Sequence, residues 1–206
     1  MPITATDSGG GDFELIPPGT YDARCYRLVD LGTQKTMWQG EEKQNRKVLI
    51  CWEIPSIEVE IDGEKKPGIV MSRFTLSVGR KSNLGPMLEA WRGKSFTDAE
   101  RAGFNVETVV GAPCMLNIVH SEDGKWANVA ACMAMPKGNK GPAPVNPKVI
   151  FSLETPDWGV FGELSEKIQA IIKASPEYQA LQSPTPNLDI TPPPQDFDDD
   201  LSDVPF

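Results

Sequence analysis

Histidine is almost absent from this 206-residue sequence, and none of its cysteines has another at the short spacing of a metal-binding motif. The one histidine is His120, and the four cysteines are Cys25, Cys51, Cys114 and Cys132. A Cys/His zinc site, a two-histidine metal site and a histidine-based catalytic triad are therefore not expected within one chain. We interpret the cysteines as reduced, buried thiols that act as small apolar side chains.

Motifs for catalysis or cofactor binding are also missing. The sequence contains no GxGxxG, GxSxG or HExxH pattern. Gly93-Lys94-Ser95 resembles the end of a phosphate-binding loop, but Leu88 stands where that motif requires glycine. We therefore predict a protein that is not an enzyme, with no catalytic residue, no metal and no cofactor. A carboxylate-only magnesium site, in a nuclease or nucleotide hydrolase, is the weakest alternative.

Long apolar runs are lacking as well. No stretch approaches the roughly 18 consecutive apolar residues of a membrane-spanning helix. Residues 1–11 have neither the basic start nor the apolar centre of a signal peptide. We therefore expect a cytoplasmic protein with no membrane partner.

Charge is unevenly distributed along the chain. The net charge is −9, but seven of the 29 acidic residues and none of the 20 basic ones lie from Ala174 onward, which leaves residues 1–173 with a net charge of only −2. Residues 183–206 contain six prolines and six aspartates, and they offer too little apolar surface to offset the entropy lost on ordering. We predict a disordered acidic tail over 183–206 and a flexible leader over 1–12.

The first half of the chain has three regions with strand patterns. The first covers residues 19–29, and the second covers residues 47–54 and is expected to stop at Pro55. The third is a pair of runs, 57–61 and 69–78, around a turn signal. Alternation in the last run predicts one apolar face and one mixed face that carries Arg73.

A helix and a hairpin follow these strands. Leu84, Leu88 and Trp91 form one stripe of a helix that Gly93 ends. Thr97 through Glu100 has the pattern of a capping box for a short second helix. Strand runs at 114–120 and 126–135 are joined by Asp-Gly, which is a strong hairpin signal.

Three strand regions, a helix and a hairpin occur in the order of an OB-fold, a five-stranded barrel with its helix between strands 3 and 4. We assign this domain to residues 13–136. Residues 137–182 form a C-terminal extension with an added helix from Val160 to Ala174, which either covers the barrel or makes a subunit contact.

Two patches combine cations with tryptophan. The interval from Gly32 to Arg46 is predicted to be a basic loop, and Lys125-Trp126 precedes the last strand. In an OB-fold these two places border the groove that binds oligonucleotides, where cations neutralise phosphates and aromatic rings stack on bases. Trp38 could instead fold over the barrel rim, Trp126 could belong to the core, and Arg73 could line the groove or be solvated. The candidate nucleic-acid contacts are Lys35, Trp38, Lys43, Arg46, Lys47, Arg73, Lys125 and Trp126.

The chain ends in aspartates followed by an apolar tip. A tail that served solubility alone would not need a terminal aromatic residue, whereas a partner protein could bind the Phe206 ring in an apolar slot and its carboxylate with a basic group. The candidate partner-binding residues are Asp198, Asp199, Asp200, Asp203, Val204, Pro205 and Phe206.

These residues resemble a known family. Bacterial single-stranded DNA-binding proteins end in several aspartates, an apolar residue, Pro and Phe, and this chain ends in Asp-Asp-Asp-Leu-Ser-Asp-Val-Pro-Phe. Pro-Pro-Gly-Thr-Tyr near the start and Leu-Glu-Ala-Trp-Arg-Gly-Lys-Ser-Phe before the hairpin are similar to phage-encoded DNA-binding proteins of OB type. The resemblance implies an OB-fold, sequence-independent binding of single strands, and recruitment of replication, recombination and repair proteins through the tip. It also implies a bacterial host cytoplasm if the chain is phage-encoded.

We therefore predict a protein that coats single-stranded DNA and recruits partner proteins, with homo-oligomerisation left open. The alternative is an OB-like protein-interaction module that does not bind DNA.

Overall fold

A computed structural model of the chain describes residues 15–38, 40–61 and 63–182. Its strands are β1 (Gly19–Trp38), β2 (Glu41–Ile61), β3 (Glu64–Thr75), β4 (Pro113–His120), β5 (Ala127–Met133) and β6 (Val149–Phe151). Its α-helices are α1 (Leu84–Arg92), α2 (Asp98–Ala102), α3 (Trp158–Glu163), α4 (Glu166–Lys173) and α5 (Pro176–Gln182), with a 3₁₀ turn at Val106–Val109. In these ranges no helix is long and apolar enough to cross a membrane.

The six strands form one sheet, which confirms the prediction of a mainly β protein. Neighbouring strands lie in the order β3-β2-β1-β4-β5, and all of these pairs are antiparallel. The short β6 pairs in parallel with β1 at Arg27–Val29. It uses the same edge of β1 as β4, which pairs with the first residues of β1. As described, the sheet is open, because no ladder between β3 and β5 occurs among the pairings of these strands.

Strand β2 is buried on both faces from Val48 to Ile54. On the inner face, which we define as the side covered by α1, alternate residues such as Ile50 and Trp52 pack with Leu88 and Trp91. On the outer face, the side covered by α3, α4 and α5, Leu49 packs in a second core with residues of α3 and α4. The continuous apolar run of β2 follows from this double burial.

The local signals for helix and hairpin boundaries are confirmed. Thr97 and Glu100 form a reciprocal capping box at the start of α2. Gly93 ends α1 with φ 66°, a left-handed conformation that glycine adopts without steric cost. The β4–β5 hairpin turns at Gly124, as the Asp-Gly pair predicted.

Two predictions about the strands are wrong. Gly32 to Arg46 is not a loop, because β1 and β2 continue as a paired hairpin from Gly32 opposite Lys47 to Trp38 opposite Glu41. Pro55 does not end β2, because the ladder with β3 resumes after a register shift between Ile54 and Glu58. Pro55 lies within this irregularity, where the ladder needs no hydrogen bond from the N–H that proline lacks.

The single helix predicted from Val160 to Ala174 is also wrong. The chain is extended at Leu164 and Ser165, which separates α3 from α4. The Gln169 amide donates to the Leu164 carbonyl at 2.7 Å, next to the end of α3. The apolar side chains of this region, such as Phe161, Ile168 and Ile172, are nevertheless buried on the outer face of the sheet. Of the two predicted roles, covering the sheet and making a subunit contact, the structure shows the first.

A strap, which we define as residues 137–148, crosses the outer face before β6 begins. The buried carboxylate of Glu53 accepts hydrogen bonds from the Val145 N–H at 3.0 Å, the Asn146 N–H at 2.8 Å and the Asn146 amide at 2.6 Å. The Arg24 guanidinium donates to the Pro142 carbonyl at 2.9 Å. These bonds make the strap part of the folded unit.

Helix α5 is anchored to β1 in a similar way. The Glu177 carboxylate accepts from the Thr33 N–H at 2.8 Å and from the Thr33 hydroxyl at 2.5 Å. Burial raises the pKa of Glu177, but the bonds from Thr33 outweigh it and leave that pKa below its usual value. Gly32 has φ 69°, and a Cβ there would lie 2.4 Å from the Ser175 Cβ, so glycine permits this close approach.

Glu53→Ala should lower the free energy of unfolding by roughly 2–5 kcal/mol, because two partly buried N–H groups of the strap and the Asn146 amide lose their buried acceptor. Urea unfolding of the full chain measures this change. Glu58→Ala is the matched control on the same strand, because Glu58 is exposed and bonds only to Lys65 there. Equal effects of the two substitutions would contradict the anchoring role of Glu53.

Candidate nucleic-acid interface

The outer face of the sheet is covered over β1 and β2 but open over β3. Residues Ile69, Met71 and Arg73 of β3 lie opposite Glu53, Cys51 and Leu49 of β2, so their side chains share the outer face. The three β2 side chains are buried, whereas the three β3 residues are exposed, Met71 by 52%. We call the three β3 residues the β3 face.

Two arginines on the outer face have free donors. Arg27 lies opposite Cys51, beside the β3 face, and is partly exposed. Its guanidinium lies 5.3 Å from the Tyr26 ring, and its buried Nε has no acceptor. Among the described residues, neither Arg27 nor Arg73 makes a side-chain hydrogen bond or an ion pair. Sequence reasoning identified Arg73 but missed Arg27. The signal for Arg27 in the sequence is that a cation occurs within an otherwise apolar strand.

Arg46 belongs to a structural network rather than to a free surface. Its Nη2 lies 2.6 Å from Asp30 Oδ2, and its Nη1 lies 3.0 Å from Glu154 Oε1. The hydrogen bonds that Arg46 donates to Asp30 are the main reason that the pKa of Arg46 is raised above its usual value. Asp30 is buried and also accepts from the Gly32 and Leu153 N–H groups. The guanidinium is therefore already occupied by carboxylates.

The far ends of β1 and β2 form an arm, which we define as residues 33–38 and 41–45. Lys35 forms an ion pair with Glu42 at 3.1 Å, and this contact is the main reason that the pKa of Glu42 is lowered. Lys43 is exposed, but Glu41 and Glu42 balance the two lysines of the arm, so the arm is not basic. Trp38 pairs with Glu41 through the backbone, and its side chain lies outside the described part of the chain. Lys47, next to the arm, donates to the Thr75 hydroxyl at 2.8 Å.

The β4–β5 turn holds Trp126 in an exposed position. Its N–H donates to the Ser121 hydroxyl at 3.1 Å, and its carbonyl accepts from the Ser121 N–H at 2.9 Å. Asp123 accepts from the Ser121 hydroxyl, which is the main reason that the pKa of Asp123 is lowered, and from the Lys125 N–H. The side chain of Trp126 is 66% exposed, so the core alternative for this residue is wrong.

The structure does not bring the two predicted patches together. The β4–β5 turn adjoins the start of β1, because Ile118 pairs with Gly19 and the His120 ring contacts the Ile16 carbonyl. The arm lies at the other end of the same strand, which is 20 residues long, or about 60 Å along its path. In register, the β3 face aligns with the middle of β1 and therefore lies between the two patches.

A second exposed indole was missed by sequence reasoning. Trp158 at the start of α3 is exposed and makes edge-to-face contacts with Phe161 and Tyr178, at centroid distances of 5.7 and 5.8 Å.

The described residues contain no group of three His, Cys, Asp or Glu side chains placed to hold a metal ion. All four cysteines are free and buried, as predicted. Burial raises the pKa of the Cys51 thiol to about 12, and it also raises the pKa values of Cys25 and Cys114 above their usual range. The raised pKa values favour the protonated thiol of Cys25, Cys51 and Cys114, which is the less nucleophilic form.

The tip residues Asp198, Asp199, Asp200, Asp203, Val204, Pro205 and Phe206 lie outside the described residues, as do the leader and the rest of the tail. No protein-family model matches the chain, and a search of curated proteins finds no match. The resemblance to single-stranded DNA-binding proteins therefore stays a prediction.

Arg46→Ala should lower the free energy of unfolding by roughly 2–4 kcal/mol, because Asp30 loses its cation in a partly buried pair. At temperatures where both proteins are folded, affinity for single-stranded DNA should stay unchanged. Thermal unfolding and anisotropy of labelled DNA measure the two quantities. Lys43→Ala, an exposed cation of the neighbouring arm, is the control for stability. Loss of DNA affinity without loss of stability would contradict this role of Arg46.

Proposed function

We propose that the protein binds single-stranded DNA along the β3 face. The observation that carries this proposal is the pair of arginines, Arg27 and Arg73, whose guanidinium groups have no hydrogen-bonding or ionic partner in the described chain. Both lie on the outer face: Arg73 is two residues from the exposed Met71 on β3, and Arg27 lies on β1, across Cys51 from Met71. Unpaired guanidinium groups on one surface suit the phosphates of a strand, which arginine binds with two parallel hydrogen bonds.

The β4–β5 turn supplies the second part of the proposed interface. Trp126 offers an exposed ring, and Lys125 beside it is an exposed cation. Stacking of a base on such a ring tolerates any sequence, so the proposed binding is sequence-independent. The strand order β3-β2-β1-β4-β5 supports an OB-type barrel, in which β3 and β5 would close the sheet.

In this proposal the protein is a binding protein and not an enzyme. Its acidic tip recruits proteins of DNA replication, recombination or repair, while the folded region holds the strand. The sequence of the tip supports this second role, because an apolar residue, Pro and Phe follow a run of aspartates.

Titration of the full chain with labelled oligo-dT tests the proposal. Anisotropy should rise on binding, and affinity should fall with salt by about 0.7 log units per phosphate contact for each log unit of salt. Tryptophan fluorescence should be quenched, and Trp126→Ala should weaken binding by about 1–3 kcal/mol. Trp158→Phe is the matched control at the other exposed indole. No binding at low salt, with or without residues 183–206, would exclude the proposed function.

Arg27→Ala and Arg73→Ala locate the interface. Each substitution should weaken oligo-dT binding and reduce the salt dependence by about 0.7, because one phosphate contact is lost. Arg80→Ala is the control, because Arg80 is also exposed but lies in the segment after β3, away from the β3 face. If DNA is bound but neither substitution on the outer face matters, the strand follows another surface.

A protein-interaction module is the second candidate, and one observation favours it. Ile69, Met71 and Val145 are all exposed, and they are neighbours, because Val145 bonds to Glu53, which lies opposite Ile69. An exposed apolar patch of this kind is typical of protein interfaces. The oligo-dT titration separates the two candidates, since a pure interaction module shows no binding at low salt.

A further inference from the structure

A cleft of about 470 Å³ opens beside the Arg46 network, away from the β3 face. Its floor is formed by Leu28 and Val48 of the inner core. Its walls include Leu76 and Ile150, each 37% exposed. The cleft has the size of a ligand site, and apolar side chains that line it face solvent.

Several contacts hold the cleft in shape. The Leu76 N–H donates to the Arg46 carbonyl at 2.8 Å, which fixes one wall. Phe104, in another wall, packs edge-to-face on Phe96 at a centroid distance of 4.9 Å, and the Arg92 guanidinium lies 5.0 Å from its ring. The opening is therefore bounded by ordered structure.

The charge around the cleft is negative. Three carboxylates, those of Asp30, Glu107 and Glu154, line it together with one cation, Arg46. Arg46 already contacts Asp30 and Glu154, whereas the exposed carboxylate of Glu107 makes no hydrogen bond or ion pair within the described chain. A net charge of −2 at an apolar opening favours a ligand that is both apolar and cationic.

This charge argues against the other occupants that the chain suggests. A nucleic-acid strand would bring its phosphates against Glu107 and Glu154. The tail of residues 183–206 carries six aspartates, residues 1–14 carry three acids, and neither segment contains Lys or Arg. The cleft is therefore unsuited to DNA and to the chain's own termini.

We propose that the cleft docks a short basic segment of a partner protein. A bulky apolar side chain of that segment enters between Leu76 and Ile150, and its flanking Lys or Arg residues contact Glu107 and Glu154. This interaction does not depend on DNA binding, and it uses a surface separate from both the β3 face and the acidic tip.

Methyl NMR of the full-length protein tests the proposal with two blocked tetrapeptides, Lys-Phe-Leu-Lys and Glu-Phe-Leu-Glu. The basic peptide should give saturable shifts of the Leu28, Leu76 and Ile150 methyl groups. The acidic peptide, with the same apolar residues, should bind at least about five-fold more weakly, because two charge contacts change sign. Absence of these shifts, or equal binding of the two peptides, would overturn the proposal.

Glu107→Gln supplies the variant, and Glu163→Gln is its control at an exposed acid of α3 that does not line the cleft. Glu107→Gln should weaken binding of the basic peptide by about two- to five-fold, and Glu163→Gln should leave this binding unchanged. Unchanged binding by the Glu107 variant would overturn the proposed charge recognition. Shifts of the same cleft methyl groups with oligo-dT would also overturn it, because the cleft would then belong to the nucleic-acid interface.

Discussion

Burial of β2 on both faces is the constraint on which the rest of this structure depends. The run from Val48 to Ile54 alternates between two cores, so each face of the sheet needs its own cover. Helix α1 covers the inner face. Without the segment that follows β5, Val29, Leu31 and Leu49 on the outer face would be exposed to water. The strap and the three last helices provide that cover over β1 and β2, whereas the β3 face stays exposed.

Elements with a local chemical signal could be predicted from the sequence. The capping box at Thr97, the glycine at the end of α1 and the Asp-Gly turn each depend on a few adjacent residues. The β1–β2, β2–β3 and β4–β5 pairs join strands that are consecutive in the chain, as is usual for antiparallel neighbours. The arm was hidden, because a two-stranded hairpin exposed on both faces has a polar sequence that resembles a loop. The break at Leu164 was hidden for the opposite reason, since the apolar stripe continues through it.

The candidate site was harder to predict than the fold, because the availability of a cation depends on distant partners. Arg46 looks like a free loop cation in the sequence, yet its carboxylate partners lie 16 and 108 residues away. Arg27 looks like a residue of a buried strand, yet its guanidinium has no hydrogen-bonding or ionic partner in the described chain, and its Nε is buried without an acceptor. The net charge of the chain does not indicate whether it binds an anion. Anion binding depends on whether unpaired guanidinium groups lie on one surface, and strand register determines that.

The parallel pairing of β6 with β1 affects how the molecule can form. β1 is synthesised before the other five strands that the structure describes, but Arg27 meets its partner Val149 only about 120 residues later in the chain. Until the ribosome has released that segment, part of the edge of β1 and the apolar residues beside it have no partner. β1 is thus completed by a strand that is made much later, and part of its edge stays unpaired in the nascent chain until β6 emerges.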